Sequence, residues 1–290
     1  MKKKTTFALV VLATTLSAAH AQGPLNPATP PMPSMKTLQQ VEPRTPIEAL
    51  PYDIVQPGSY YVTGPLFSTN HGIRIFANDV TLDLMGNTIT GGSSTNFHGI
   101  HVVANDVIPY RNIVIRNGGV SEFGNGVYLQ NVAGGSVRDM TVSQNAGIGI
   151  WIQRTAFTSR SIMVENNTVT DNGGTGIFIS GQTAAFNQSH VIRNNAVSGN
   201  GVFGISVAFA NGVLIDGNVV GPQVNNGTTY GISSTASRSY VLRNMEYGNT
   251  NGYIFVDTSS TRGPVVNVSG TLASTGTANH AWANFSQPVP

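Results

Sequence analysis

Apolar and polar residues alternate along this chain in short stretches that end in turn residues, and one such stretch keeps returning. It reads Gly72-Ile-Arg-Ile, Gly99-Ile-His-Val, Gly126-Val-Tyr-Leu, Gly149-Ile-Trp-Ile, Gly176-Ile-Phe-Ile, Gly204-Ile-Ser-Val and Gly231-Ile-Ser-Ser, with a weaker copy at Gly252-Tyr-Ile-Phe-Val. The steps between these glycines are 27, 27, 23, 27, 28, 27 and 21 residues. A period in this range predicts a solenoid, in which each repeat buries its apolar face only against its neighbours. Each copy is followed by a second alternating stretch, such as Val80-Thr-Leu-Asp-Leu84, Ile113-Val-Ile115, Ile162-Met-Val164 and Val213-Leu-Ile215. A third centres on Ile89, Val120, Val142, Val169, Val197 and Val220. Three short strands per turn, with β-branched residues inward at every second position, predict an all-β parallel β-helix of about eight rungs stacked at ~4.8 Å.

The flanks read differently. Lys2, Lys3 and Lys4 precede an apolar run from Phe7 to Leu16 and a small-residue end at Ala19-His20-Ala21, the pattern of a signal peptide over residues 1–21. A secreted or periplasmic location follows, with no membrane span after cleavage, because no later stretch reaches the ~18 apolar residues a span needs. Residues 22–37 form a Pro-rich spacer. Residues 38–66 are expected to strap and cap the open end of the solenoid, with two short strands around Pro57-Gly58. The β-helix is expected over residues 67–270, with Val265–Val268 as a last strand. Residues 271–290 form a tail in which Trp282 and Phe285 fold back as a plug.

The Gly-Ile strand, the segment Asn78–Gly91 (Asn-Asp-Val-Thr-Leu-Asp-Leu-Met-Gly-Asn-Thr-Ile-Thr-Gly) and the recurring Val-x-x-Asn-x-x-Val turns resemble the right-handed parallel β-helix proteins of the pectin-lyase-like superfamily. The resemblance covers about residues 52–270 and implies the right-handed fold. It does not imply one activity, because this scaffold carries lyases, hydrolases, epimerases, adhesins and accessory proteins. Enzymes of that superfamily use clustered carboxylates with a Lys or Arg base, adjacent aspartates, or an Asp-Pro-His-Asp motif. Neither an Asp-Asp pair nor Asp-Pro-His-Asp occurs here, and no lysine follows Lys36, so no catalytic residue carries over by motif.

Equivalent positions of successive turns stack at strand spacing, so aligned repeats predict neighbours. The outward position of the Gly-Ile strand holds Arg74, His101, Tyr128, Trp151, Phe178, Ser206, Ser233 and Phe255. His101, Tyr128, Trp151 and Phe178 would line one outer face on which sugar rings could stack, with Gln130 and Gln153 within reach of sugar hydroxyls. The alternative is an aromatic ladder that only stabilises neighbouring strands. A second column, Met85, Arg116, Arg138, Glu165, Arg193, Asp216 and Arg243, alternates in sign from Arg138 onward and reads as a cross-strand charge ladder. A third, Asn117, Asn166, Asn194 and Asn244, suits left-handed turns. Asp79 and Asp106 share a position in consecutive Ala-Asn-Asp-Val copies, where stacked carboxylates would suit Ca²⁺ or an acid–base pair. With Arg74 and His101 they are the candidate catalytic set. His71 and His98 precede adjacent rung glycines near His101 and are the candidate transition-metal ligands. Otherwise no cofactor is evident.

Charge and cysteine content narrow the field. The formal charge of +2 becomes −1 without the three leader lysines, and no basic patch of the kind nucleic acid requires remains. Cysteine is absent, so no disulfide supports the exported chain. These observations favour a polysaccharide-binding or polysaccharide-associated protein. A polysaccharide lyase with an unconventional site and a protein-interaction module are the alternatives.

Overall fold

A computed structural model describes residues 43–104, 108–155, 159–181, 188–224, 227–235, 238–255, 261–267 and 280–287. The expected signal peptide, the Pro-rich spacer, the start of the expected cap and Asp106 lie outside them. The described elements are β-strands, and no helix among the described residues is long and apolar enough to cross a membrane.

One sheet stacks nine strands in chain order: Tyr52–Ile54, Ile73–Ile75, His98–Val103, Asn125–Gln130, Ile150–Gln153, Ile177–Ser180, Phe203–Ala208, Tyr230–Ser234 and Asn251–Phe255. The other two strands of each turn form two further parallel ladders. These merge into a single 18-stranded sheet because Tyr110–Ser121 and Val132–Ser143 run unbroken from one ladder into the next. Successive turns therefore build a parallel β-helix. Residues 45–62 carry short strands, Tyr52–Ile54 and Gly58–Val62 among them, that join the stacked ladders directly. Tyr52–Ile54 pairs with Ile73–Ile75, Gly58–Val62 pairs with Val80–Asp83, and Thr45–Ile47 pairs with Gly58–Val62, all in parallel register. At the other end Asn284–Gln287 pairs with both Met245–Tyr247 and Val265–Asn267. Its buried residues are Asn284 and Ser286, preceded by the buried Ala283, whereas Trp282 is 57% exposed.

Inward positions stack in register. Ile73, Ile100, Val127, Ile150, Ile177, Ile205 and Ile232 form one column, each fully buried. The rung glycines are required by space rather than by an unusual φ. A Cβ on Gly126 would lie 2.4 Å from Val142 Cγ1 and 2.7 Å from the Gly149 carbonyl oxygen, and Gly149 is hemmed in the same way by Val169 and Gly176. Left-handed turns fall instead on Asp79, Met85, Asn117, Asp139, Asn166, Asn194 and Arg243.

Two corners of the coil are filled by buried amides. In the first, Asn167, Asn195, Asn218, Asn244 and Asn284 each sit one turn apart, and each Nδ2 donates to the next residue's Oδ1 at 2.9–3.1 Å. Each Oδ1 also accepts the backbone N–H of the preceding ladder residue. The second ladder runs from Asn145 through Asn172 and Asn200 to Gln223 in the same way, and the Gln223 backbone N–H carries it on to Asn249 Oδ1 while Gln223 Nε2 donates to the Gly221 carbonyl. Three of the four expected asparagines, Asn117, Asn166 and Asn194, are the exposed or half-buried left-handed residues just before this register, and only Asn244 belongs to a ladder.

Glu246 ends the second ladder. It occupies the core column of Val169, Val197 and Val220 at 1% exposure, where its carboxylate accepts from Asn249 Nδ2 at 2.8 Å and from the Ser286 hydroxyl at 2.8 Å. Burial raises its pKa, partly opposed by these bonds. A raised carboxyl binds its proton more tightly in the fold, so its ionisation destabilises the protein as pH rises through the folded value. Glu246→Gln keeps an acceptor for Asn249 and removes the charge. Its melting temperature at pH 7 should equal or exceed that of the wild type, with the gap closing in acid. A lower melting temperature at pH 7 would refute this account.

Candidate functional site

The nine-stranded sheet carries the outward column in the expected order: Arg74, His101, Tyr128, Trp151, Phe178, Ser206 and Ser233. The next rung places Ile254, not Phe255, opposite Ser233. The rings stack face to face. His101 and Tyr128 are 4.6 Å apart at 12°, Tyr128 and Trp151 4.5 Å at 17°, and Trp151 and Phe178 6.3 Å at 24°. Because parallel strands hold equal side chains at one rung spacing, each ring covers the next one's face and turns its edge outward. Tyr128 is 8% exposed, while His101, Trp151 and Phe178 are half-buried. The polar handles are engaged within the column: the Tyr128 hydroxyl donates to Gln153 Oε1, and Trp151 Nε1 donates to Ser180 Oγ at 2.9 Å. Gln153 is therefore committed to Tyr128, whereas the half-buried Gln130 amide is engaged by no hydrogen bond among the described residues. Ser180 is a contact that the repeat alignment missed. It follows the core Ile179 as an outward residue, in register with Gln153.

Three imidazoles gather at the N-terminal end of the column. Ring centroids are 4.8 Å apart for His98 and His101, 5.5 Å for His71 and His98, and 6.0 Å for His71 and His101. Burial, then the neighbouring imidazoles, lowers His98 to about 4 and His101 to about 3, with Arg74 adding to the effect on His101. His71 is lowered by burial and Arg74, against the pull of Asp53. All three are neutral at physiological pH. A cleft of about 210 Å³ opens beside them, lined by Pro51, Asn70, His71, Arg74 and Phe97.

The tautomers decide whether this cluster suits a metal. His71 Nδ1 accepts the backbone N–H of His98 at 3.1 Å. His98 Nδ1 lies 3.2 Å from Asn125 Nδ2, and Asn125 Oδ1 accepts from the Ile148 N–H, which orients the amide as a donor to the ring. With Nδ1 accepting, each neutral ring carries its hydrogen on Nε2, the atom that would have to bind the metal. His101 Nε2 is buried without a partner. Among the described residues no group of three or more His, Cys, Asp or Glu is arranged to hold a metal ion. His71 and His98 are N–H donors here.

The catalytic candidates separate. Arg74 lies beside His101 but is clamped by Asp53, Nε to Oδ1 at 2.8 Å and Nη2 to Oδ2 at 2.7 Å. Asp79 sits at an exposed left-handed corner, where its Oδ1 accepts from Asn112 Nδ2 at 3.1 Å. The charge column is a ladder on another sheet. It begins at Asp83 rather than Met85, with Arg116 bonded to Asp83, Arg193 to Glu165 at 2.7 Å, and Arg243 to Asp216. Met85 is the left-handed turn residue beyond it.

The family model described as the right handed beta helix region matches residues 66–220, more than half of the chain. The chain belongs to this right-handed β-helix family. No curated protein sequence matches it. Among solved structures it is similar to ORF18 of Geobacillus virus E2, with a TM-score of 0.54 and 15% identity over 80% of this chain and 52% of that one. It thus spans about half the length of that protein. It is also similar to the Dettilon tailspike protein (gp208), with a TM-score of 0.43 and 10% identity over 84% of this chain and 60% of that one. A third likeness is to the A-module of the Azotobacter vinelandii mannuronan C-5 epimerase AlgE4, with a TM-score of 0.42 and 10% identity over 80% and 87%. At these identities the likeness concerns the coil alone.

Proposed function

We propose that this β-helix protein is exported and binds polysaccharide along the outer face of its nine-stranded sheet, centred on Trp151 and Phe178. The observation that supports this reading is the continuous aromatic column at an outward position that Ser206 and Ser233 fill elsewhere in the same sheet. The coil itself does not require rings there. Since the ring faces cover one another, a bound glycan meets their outer edges, with the unengaged Gln130 amide beside them. Aromatic C–H edges carry the positive end of the ring quadrupole and suit hydroxyl and ring oxygens.

Trp151→Ala tests the reading. Retention of the protein on immobilised pectate, alginate or glycosaminoglycan should fall at least tenfold, about 1.4 kcal/mol, with far-ultraviolet circular dichroism unchanged. Tyr128→Phe, which removes only the hydroxyl bonded to Gln153, should retain binding. The second reading, a purely structural ladder, is favoured by the internal bonds of Tyr128 and Trp151. It predicts a lower melting temperature for Trp151→Ala and no retention of the wild type on any of these matrices.

A further inference from the structure

On the face built from the second strand of each turn, two outward columns run side by side. One reads Thr81, Val114, Ser136, Met163, Val191, Leu214, Tyr240 and Thr261 in parallel register. Its apolar run of four, Met163, Val191, Leu214 and Tyr240, is bounded by Ser136 and Thr261, and Tyr240 is 51% exposed. Two residues further along the same strands lie Glu165, Arg193 and Asp216, with Arg243 reaching back to Asp216 from the fourth turn. The four apolar turns thus carry charges that read minus, plus, minus, plus, and Arg138 continues the alternation on the neighbouring Ser136 turn.

We propose that this face joins two copies of the chain in an antiparallel homodimer. A second copy laid face to face about a twofold axis parallel to the strands keeps each column over its own counterpart and reverses the order of turns. The four charges of the apolar turns are antisymmetric about the centre of that run, so an axis through the centre sets each of these four over its opposite and leaves Arg138 outside the paired set. Glu165 meets Arg243 of the partner subunit, and Arg193 meets Asp216 of the partner subunit. In the apolar column Val191 meets Leu214 of the partner subunit, and Met163 meets Tyr240 of the partner subunit. A twofold axis along the coil would instead set each turn against itself and place like charges together. The pattern therefore selects one of the two isologous arrangements. The arginine heads are the accessible partners of each ion pair, with 44% of the Arg193 side chain and 57% of the Arg243 side chain exposed.

Sedimentation equilibrium of the full chain should give twice the chain mass, Leu214→Asp the chain mass, and added salt should weaken the dimer. The absence of cysteine makes orientation directly testable. In the antiparallel dimer, position 163 faces position 240 of the partner, whereas two copies of position 163 are three turns apart, ~14 Å. That is beyond the ~7 Å between α-carbons that a disulfide spans. A mixture of Met163→Cys and Tyr240→Cys proteins should oxidise to a mixed covalent dimer, and neither variant alone should cross-link. Cross-linking of each variant alone, or a monomeric wild type at high micromolar concentration, would overturn the proposal.

Discussion

Asn195→Ala should cost about 4–6 kcal/mol, enough to leave the protein marginal or unfolded at 37 °C. The Asn195 Oδ1 accepts from both the backbone N–H and the Nδ2 of Asn167, at 3.0 and 2.9 Å, and its own Nδ2 donates to the Val164 carbonyl and to Asn218. Truncation strands two donors of Asn167 and weakens the bonding of two acceptors in a corner where the ladder residues are 0–1% exposed. A buried group left without its partner costs about 1–3 kcal/mol, and a domain of this kind has about 5–15 kcal/mol in total. Urea unfolding followed by circular dichroism provides the measurement. Asn195→Asp should be no better, because it keeps the shape but loses the donor and buries a charge. A loss under about 1 kcal/mol for the alanine variant would mean that the ladder adapts, by water entry or backbone shift, and does not hold the corner.

The second large effect is acid sensitivity through His190. This imidazole is fully buried, accepting the Ile162 N–H at Nδ1, 3.2 Å away, with Nε2 3.0 Å from Gln188 Oε1. Burial pushes it from 6.5 down to about 3. A histidine lowered in this way is held neutral by the fold, while the unfolded chain takes up a proton below pH 6.5. Its contribution is therefore fully present above that pH and is lost as pH falls, at about 1.4 kcal/mol per unit, or about 5 kcal/mol by pH 3. His98 and His101 act in the same direction. His190→Gln keeps an acceptor and a donor without a titrating group. Urea midpoints of the variant should fall less steeply than those of the wild type between pH 6.5 and 4, and equal slopes would remove His190 from the account.

Much of the coil can be read from residues 72–234 because its logic is local: a glycine, two inward aliphatics and one free outward position, renewed each turn. The aromatic column followed from that alignment as far as Ser233. It failed at Ile254, although Tyr253 stays in register opposite Ile232: the apolar run Tyr253-Ile254-Phe255 lacks the alternation that marks the outward position in the other copies. The asparagine column slipped by one for a physical reason. Asn166-Asn167 and Asn194-Asn195 are pairs in which the first residue takes the left-handed turn and the second is thereby rotated into the core. Both positions favour asparagine, so composition alone cannot assign the register. The run 167, 195, 218, 244 was nevertheless present as a signal. The histidine cluster shows another limit. Spacing brought His71, His98 and His101 together, but their tautomers depend on Asn125 and a backbone N–H, contacts that no repeat alignment contains.

The amide ladders also give the molecule a direction. From Asn167 to Asn244 each amide gives one hydrogen to the amide oxygen of the following turn and the other to a backbone carbonyl of the preceding turn, so every turn is bonded to both neighbours while the amide-to-amide bonds all run one way. A new turn inserted by duplicating one repeat, for example residues 168–195, arrives with both the acceptor its predecessor needs and the donor its successor expects. Such a chain lengthens without redesign of its interior. The same hand-off must stop at the carboxy-terminal side, where Asn284 turns to backbone carbonyls and Glu246 takes the last amide of the other ladder. Growth by duplication is open in the middle of this coil and closed at that end.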